Sequence, residues 1–148
     1  MERERGFTLI ELMVVFAILA LVMAVSPSSY DKMKNSMDYR DVVRGVVTEM
    51  RAARQQAVLT GRDATSVVDL ENKQYGSQGS KPRTIPPDIE LRAIVSESEA
   101  KGAQFAIRFL PSGGASGGSV DVLRSSGDGV RLRVDWFSGR VEQEPVQR

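Results

Sequence analysis

The 148-residue sequence predicts an α+β fold, a long N-terminal helix packed on an antiparallel β-rich domain. Two observations carry this. Apolar residues dominate from Phe7 to Val25 and then recur mostly at three- and four-residue spacing until Gly61, the periodicity of a helix. From Ala64 onward the period changes to two, and segments rich in Gly, Ser and Pro separate the alternating runs, as in half-buried antiparallel strands. The expected organisation is a leader over 1–6, a transmembrane and assembly helix over 7–26, an amphipathic helix over 27–62 and a β-rich domain over 63–148.

Phe7 to Val25 is a run of 19 residues interrupted only by Thr8 and Glu11. As a helix it is about 28 Å long, close to the roughly 30 Å hydrocarbon thickness of a bilayer. Its Leu, Ile, Val and Phe side chains each favour insertion by about 0.3–0.6 kcal/mol, which outweighs a single carboxylate costing at most about 3 kcal/mol. Insertion therefore survives Glu11, but neither a plain anchor nor a secretory signal cut near Ala24-Val25-Ser26 has a use for it.

The second part of the helical pattern starts after Pro27, where a kink is expected, and stops near Gly61. Met33, Met37, Val43, Val46, Val47, Met50, Ala53 and Ala57 form a stripe that seeks a sheet, with Arg40, Arg44, Arg51 and Arg54 as a solvated face. The sharper reading of those arginines is a docking surface for another subunit or for DNA phosphates. Gly45, within the stripe, marks either a flexible joint or a close approach.

Candidate strands are Ala64 to Leu70, Ile89 to Val95, Gln104 to Leu110, Ser119 to Arg124, Val130 to Trp136 and Gly139 to Glu142. Phe105, Ile107 and Phe109 alternate with Ala106 and Arg108. Val130, Leu132, Val134 and Trp136 alternate with Arg131, Arg133 and Asp135, so each strand has one dry face, and Trp136 reads as a core residue with an interface role as the alternative. Ser138-Gly139 reads as a tight hairpin turn. The Gly-rich segments GSQGSK and GGASGG lack the spacing of a phosphate cradle and read as flexible turns.

Composition narrows the function. A formal net charge of +1 supplies no long-range field that selects nucleic acid or an acidic partner. The chain contains no cysteine and no histidine, which removes disulfides, the commonest metal ligands and the commonest nucleophile and base pairs. Asp121, Asp128 and Asp135 do not follow a calcium-loop spacing. No catalytic residues, no metal and no cofactor are expected.

Gly6-Phe7-Thr8-Leu9-Ile10-Glu11, behind the charged leader Met1 to Arg5, resembles the processing site of type IV prepilins and type II secretion pseudopilins. The resemblance implies cleavage between Gly6 and Phe7 by a membrane-embedded prepilin peptidase and N-methylation of the new Phe7 amine, the helix remaining on the mature protein. It also implies that Glu11 neutralises a Phe7 ammonium, its own or that of a preceding subunit, when helices pack into a filament. A free α-amino group has a pKa of about 7.7–8.0, so the cut places a cation four residues before Glu11. Paired charges are tolerated in a low-dielectric bundle where either alone costs several kcal/mol, and the pairing specifies register more than it adds stability.

Further along, RAARQQA from Arg51, VVDL from Val67, FAIRFLPSGGASGGSVDVL from Phe105 and VRLRVDWFSGRV from Val130 resemble the H-type minor pseudopilins of type II secretion (the GspH/FimT family of type IV pilin-like proteins). That resemblance implies a pilin-like fold and a single-pass inner-membrane location with the C-terminal domain in the periplasm. It also implies a place near the tip of a short periplasmic filament, the pseudopilus, that drives folded proteins across the outer membrane. The implied partners are other minor and major pseudopilins, the prepilin peptidase and the inner membrane, with secreted substrates or the outer-membrane secretin as further candidates and no nucleic acid. The alternative is a minor type IV pilin, FimT- or FimU-like, in pilus assembly or DNA uptake.

Overall fold

A computed structural model describes residues 7–94 and 100–146, without the side chains of 24–33, 100 and 101. Gly6, Met33 as a side chain, and Val95, all named by the sequence reading, lie outside what is described. The chain divides at Met37 and Asp38 into two compact units.

Helix α1 covers Leu9–Thr60 and includes Pro27. Its N-terminus is capped by Thr8, whose carbonyl accepts the Leu12 amide at 3.2 Å. Its C-terminus ends where Gly61 adopts a φ of 65°, a left-handed conformation that costs glycine nothing, while the Gly61 amide still reaches Ala57 O at 3.0 Å.

In the second unit, α1 buries Tyr39, Val42, Val43, Val46, Val47, Met50, Ala53 and Ala57, most of the expected stripe. Met37 is a correction: it is 60% exposed. The buried face starts instead with Tyr39, which burial orders and whose hydroxyl donates to Val122 O at 3.2 Å. Gly45 resolves to close approach, since a Cβ there would overlap the Tyr75 hydroxyl and ring. The helix and a sheet strand meet at this point because nothing projects from Gly45.

The strands, in order, are β1 (Ala64–Asp69), β2 (Gln74–Ser77), β3 (Arg83–Thr84), β4 (Ile89–Ile94), β5 (Ala100–Lys101), β6 (Gln104–Phe109), β7 (Gly118–Arg124), β8 (Gly129–Val134) and β9 (Val141–Val146). They form two antiparallel sheets, β3-β2-β1-β6-β5 and β4-β7-β8-β9. The strands are antiparallel as expected, and their division into two sheets goes beyond what the sequence reading specified. Period-two alternation says which face of a strand is dry but not which strand it pairs with. The short strands β2, β3 and β5 were not expected, because runs of two to four residues are too short for a period to register.

One cluster of buried side chains joins α1 to both sheets, with Val68, Ile107 and Phe109 from one and Val120, Val122, Leu132 and Val134 from the other. Phe109 has no exposed surface and its truncation to alanine would cost about 3–5 kcal/mol. The last strand also departs from expectation. It runs Val141–Val146 rather than Gly139 to Glu142, and it holds Pro145 because β9 is an edge strand, where a missing N–H leaves no ladder bond unmade.

Candidate functional site

At the N-terminus the described chain begins with Phe7, which is 87% exposed, directly after the expected cleavage position at Gly6. Two residues into the helix entrance, Glu11 is held by Thr8. The Thr8 amide and the Thr8 hydroxyl both donate to Glu11 Oε2 at 3.0 Å, and the Glu11 amide lies 3.4 Å from Thr8 Oγ1. This is a reciprocal capping box, which satisfies helix-end amides and sets a carboxylate at the positive end of the helix dipole. The sequence reading missed Thr8, although T-x-x-E ahead of an apolar run is a legible signal of such a cap. The structure brings Glu11 to Thr8. In the uncut chain Phe7 has a peptide nitrogen with no charge to offer.

From Leu9 to Met23 the helix exposes apolar side chains on every side, among them Ile10, Leu12, Phe16, Ile18 and Leu21. A helix that is apolar all round requires apolar surroundings. Among the described residues no helix is long and apolar enough to cross a membrane. The expected span reaches Val25, and its last two side chains, Ala24 and Val25, lie outside the described residues.

A second arrangement lies in the β-rich unit, where the end of α1, the loop after β6 and the turn after β8 converge. Arg54 Nε donates to Gly113 O at 3.0 Å and to Ser138 O at 3.1 Å. Arg54 is therefore not part of the solvated arginine face, a correction to the expectation, whereas Arg40, Arg44 and Arg51 are exposed. GGASGG is likewise not a flexible turn. Gly113, Gly114 and Ala115 are buried, the Ala115 amide donates to Trp136 O at 2.9 Å, and the Ser116 amide donates to Arg108 O at 2.8 Å. In GSQGSK, the Ser77 amide donates to Ser80 Oγ at 2.9 Å, and the Ser77 hydroxyl donates to Glu49 Oε2 at 2.7 Å, tying that loop to α1.

Trp136 is the clearest correction. Strand β8 ends at Val134, and Trp136 is 69% exposed rather than in the core. The Asp135 carboxylate accepts the Ser138 amide at 2.7 Å and its hydroxyl at 2.8 Å, while the Asp135 amide reaches Arg140 O at 3.0 Å. These bonds turn the chain before the alternation reaches Trp136, so a longer turn over Asp135 to Arg140 replaces the expected tight one at Ser138-Gly139. The Ser138 amide holds the Asp135 carboxyl below the usual aspartate range, and the Ser138 hydroxyl adds to this. Trp136 and its neighbour Phe137, 75% exposed, contact edge to face with ring centroids 5.8 Å apart.

The outer face of the β4-β7-β8-β9 sheet carries a row of alternating charge through Arg92, Asp121, Arg131 and Glu144, set by strand register. Arg131 binds Asp121 through two bonds, Nε to Oδ1 at 2.7 Å and Nη2 to Oδ2 at 2.8 Å. These bonds raise the Arg131 pKa above its ordinary value.

Comparison with known proteins adds the family. Residues 1–26 match the prokaryotic N-terminal methylation motif, and residues 42–139 match the family of the type II transport protein GspH. A type II secretion system protein H of Xanthomonas campestris pv. campestris is 25% identical over 146 residues, covering 97% of this chain and 85% of that protein. A fimbrial protein of Pseudomonas aeruginosa is 26% identical over 136 residues, covering 88% and 84% respectively. Among solved structures, the minor pseudopilin EpsH from the Vibrio cholerae type 2 secretion system superposes with a TM-score of 0.50 at 14% identity. That match covers 77% of this chain and 95% of EpsH and supports the α+β pilin-like fold. With an N-terminal methylation motif followed by a domain that matches over well more than half of its length, the chain belongs to the GspH family of type IV pilin-like proteins.

Proposed function

We propose that this protein is a structural, non-enzymatic minor pseudopilin of the type II secretion system, taking part in the periplasmic pseudopilus that drives folded proteins across the outer membrane. The match of residues 42–139 to the GspH family carries this reading. In this reading the helix holds the chain in the inner membrane as a single pass, with the C-terminal domain in the periplasm. The prepilin peptidase cuts between Gly6 and Phe7, the Phe7 amine is methylated, and the subunit joins other minor and major pseudopilins near the filament tip.

Glu11 then exchanges roles. Before the cut its carboxylate caps the helix through Thr8; afterwards it also faces a Phe7 ammonium, and the pairing lets both enter a helix bundle. Glu11→Ala leaves membrane insertion intact and weakens incorporation into the pseudopilus. Unchanged co-purification of that variant with partner pseudopilins would sink the role given to Glu11.

The fimbrial relative, 26% identical over 136 residues, favours a second reading, a minor type IV pilin in pilus assembly or DNA uptake. Deletion of the gene separates the two. Loss of secreted hydrolases from the culture medium supports the secretion reading, and loss of pili or of DNA uptake with secretion intact supports the other.

A further inference from the structure

The Arg54 clamp organises an exposed surface that the fold does not need. Trp136 and Phe137 are 69% and 75% exposed, yet their backbone is fixed: Trp136 O accepts the Ala115 amide at 2.9 Å, and Ser138 O accepts Arg54 Nε at 3.1 Å. Leu110, exposed at the end of β6, is bonded across the same loop, its amide donating to Gly114 O at 2.9 Å. Val58, 49% exposed, follows Arg54 by four residues and so shares its side of α1. Aromatic side chains on a fixed backbone have only two torsions each to order when covered, which is the composition of a binding hot spot.

Around this apolar centre the carboxylates Asp63, which precedes β1 beside Leu110, and Glu144, which lines a cleft with Trp136, face Arg108 and Arg133 at 3.8 and 3.9 Å. Arg51 precedes Arg54 by three residues on the helix, and Arg140 leaves the turn that carries Trp136. Both are exposed, and among the described residues neither makes an ion pair. The one carboxylate of the turn, Asp135, is committed to Ser138.

We propose that Trp136, Phe137, Leu110 and Val58, flanked by Arg51 and Arg140, form the surface by which this subunit docks another pseudopilin through an apolar patch rimmed with acidic side chains. This rests on the secretion reading and goes beyond it by naming the surface and the chemistry of its partner. Apolar centre against apolar centre supplies affinity, and the arginine rim selects and orients an acidic counterpart.

The test uses the full-length chain, co-expressed with the other pseudopilins of its system, extracted in detergent and scored for each captured pseudopilin. Trp136→Ser with Phe137→Ser, and separately Arg51→Glu with Arg140→Glu, lower capture of one pseudopilin by about tenfold or more while leader removal and thermal melting stay as in the wild type. A photo-crosslinking residue replacing Phe137 forms an adduct with that same pseudopilin at an acidic segment, and one replacing Glu90 on the outer sheet face does not. Wild-type capture by both double variants, or no adduct from position 137, overturns the surface while leaving the secretion reading standing. If the wild-type chain itself captures no pseudopilin, the secretion reading fails with it. A salt-dependent shift of duplex DNA by the full-length chain, lost in Arg51→Glu with Arg140→Glu, would overturn the protein partner in favour of nucleic acid.

Discussion

Arg54 Nε donates to Gly113 O at 3.0 Å, joining the last turns of α1 to a loop 59 residues later in the chain. The same nitrogen reaches Ser138 O, and a Cβ on Gly139 would overlap both Gly113 O and the Arg54 side chain, so this junction tolerates little change. Arg54→Met keeps the aliphatic stem and leaves the two carbonyls without their charged donor. It should cost about 1.5–3 kcal/mol, read as a lower denaturant midpoint with an unchanged m-value. A midpoint equal to that of the wild type would show that water replaces the guanidinium freely.

Thr8 and Glu11 form a reciprocal cap, so the helix start depends on the hydroxyl. Thr8→Val should speed amide hydrogen exchange at Leu9 to Leu12 by an amount equivalent to about 1 kcal/mol, and Thr8→Ser should leave it close to wild type. Equal exchange in the valine and serine variants would mean that the box contributes nothing.

Gly45 faces the Tyr75 hydroxyl with no room for a methyl group. Gly45→Ala should therefore destabilise the protein by about 1–3 kcal/mol despite the better helix propensity of alanine. Tyr75→Phe removes the overlapping oxygen, so in the double variant the loss should be partly restored. A purely additive double-mutant cycle would contradict the contact.

The turn at Asp135 depends on pH. Its carboxyl titrates below the usual aspartate value because the folded turn donates to the ionised form. The stabilisation is therefore complete above the unfolded-state pKa, about 3.9, and is lost as pH falls below it through the lower folded-state value. Trp136 is the single tryptophan and sits beside Asp135. Its emission should shift below about pH 4 and do so far less in Asp135→Asn, whose side-chain oxygen accepts the same bonds without titrating.

The helix stripe was legible because Val43, Val46, Val47, Met50, Ala53 and Ala57 repeat at the spacing of one helix face, and all of them are buried. Phe109 and Leu132 were legible for the same reason with a period of two. The alternation misled at Trp136, because the pattern ran on through a residue where the Asp135 bonds had already turned the backbone. Asp135 with Ser138 three residues on is itself a turn signal, and weighing it against the alternation would have moved the strand end to Val134. At the N-terminus, Gly6 to Glu11 were legible as a short motif, while the partner that Glu11 has in the uncut chain, Thr8, was overlooked within that same motif.

By itself the sequence determined the α+β class, the buried faces of the helix and strands, and the N-terminal motif with its carboxylate. Periodicity and short motifs are local properties, readable within about ten to twenty residues. Only the tertiary structure decided that the strands split into two sheets, that Gly45 is a contact rather than a joint, and that Arg54 leaves the solvated face to clamp two loops. It also decided that Trp136 is presented to solvent. Those outcomes depend on groups such as Arg54 and Ser138, which lie 84 residues apart along the chain and meet only when burial of the common core brings their elements together.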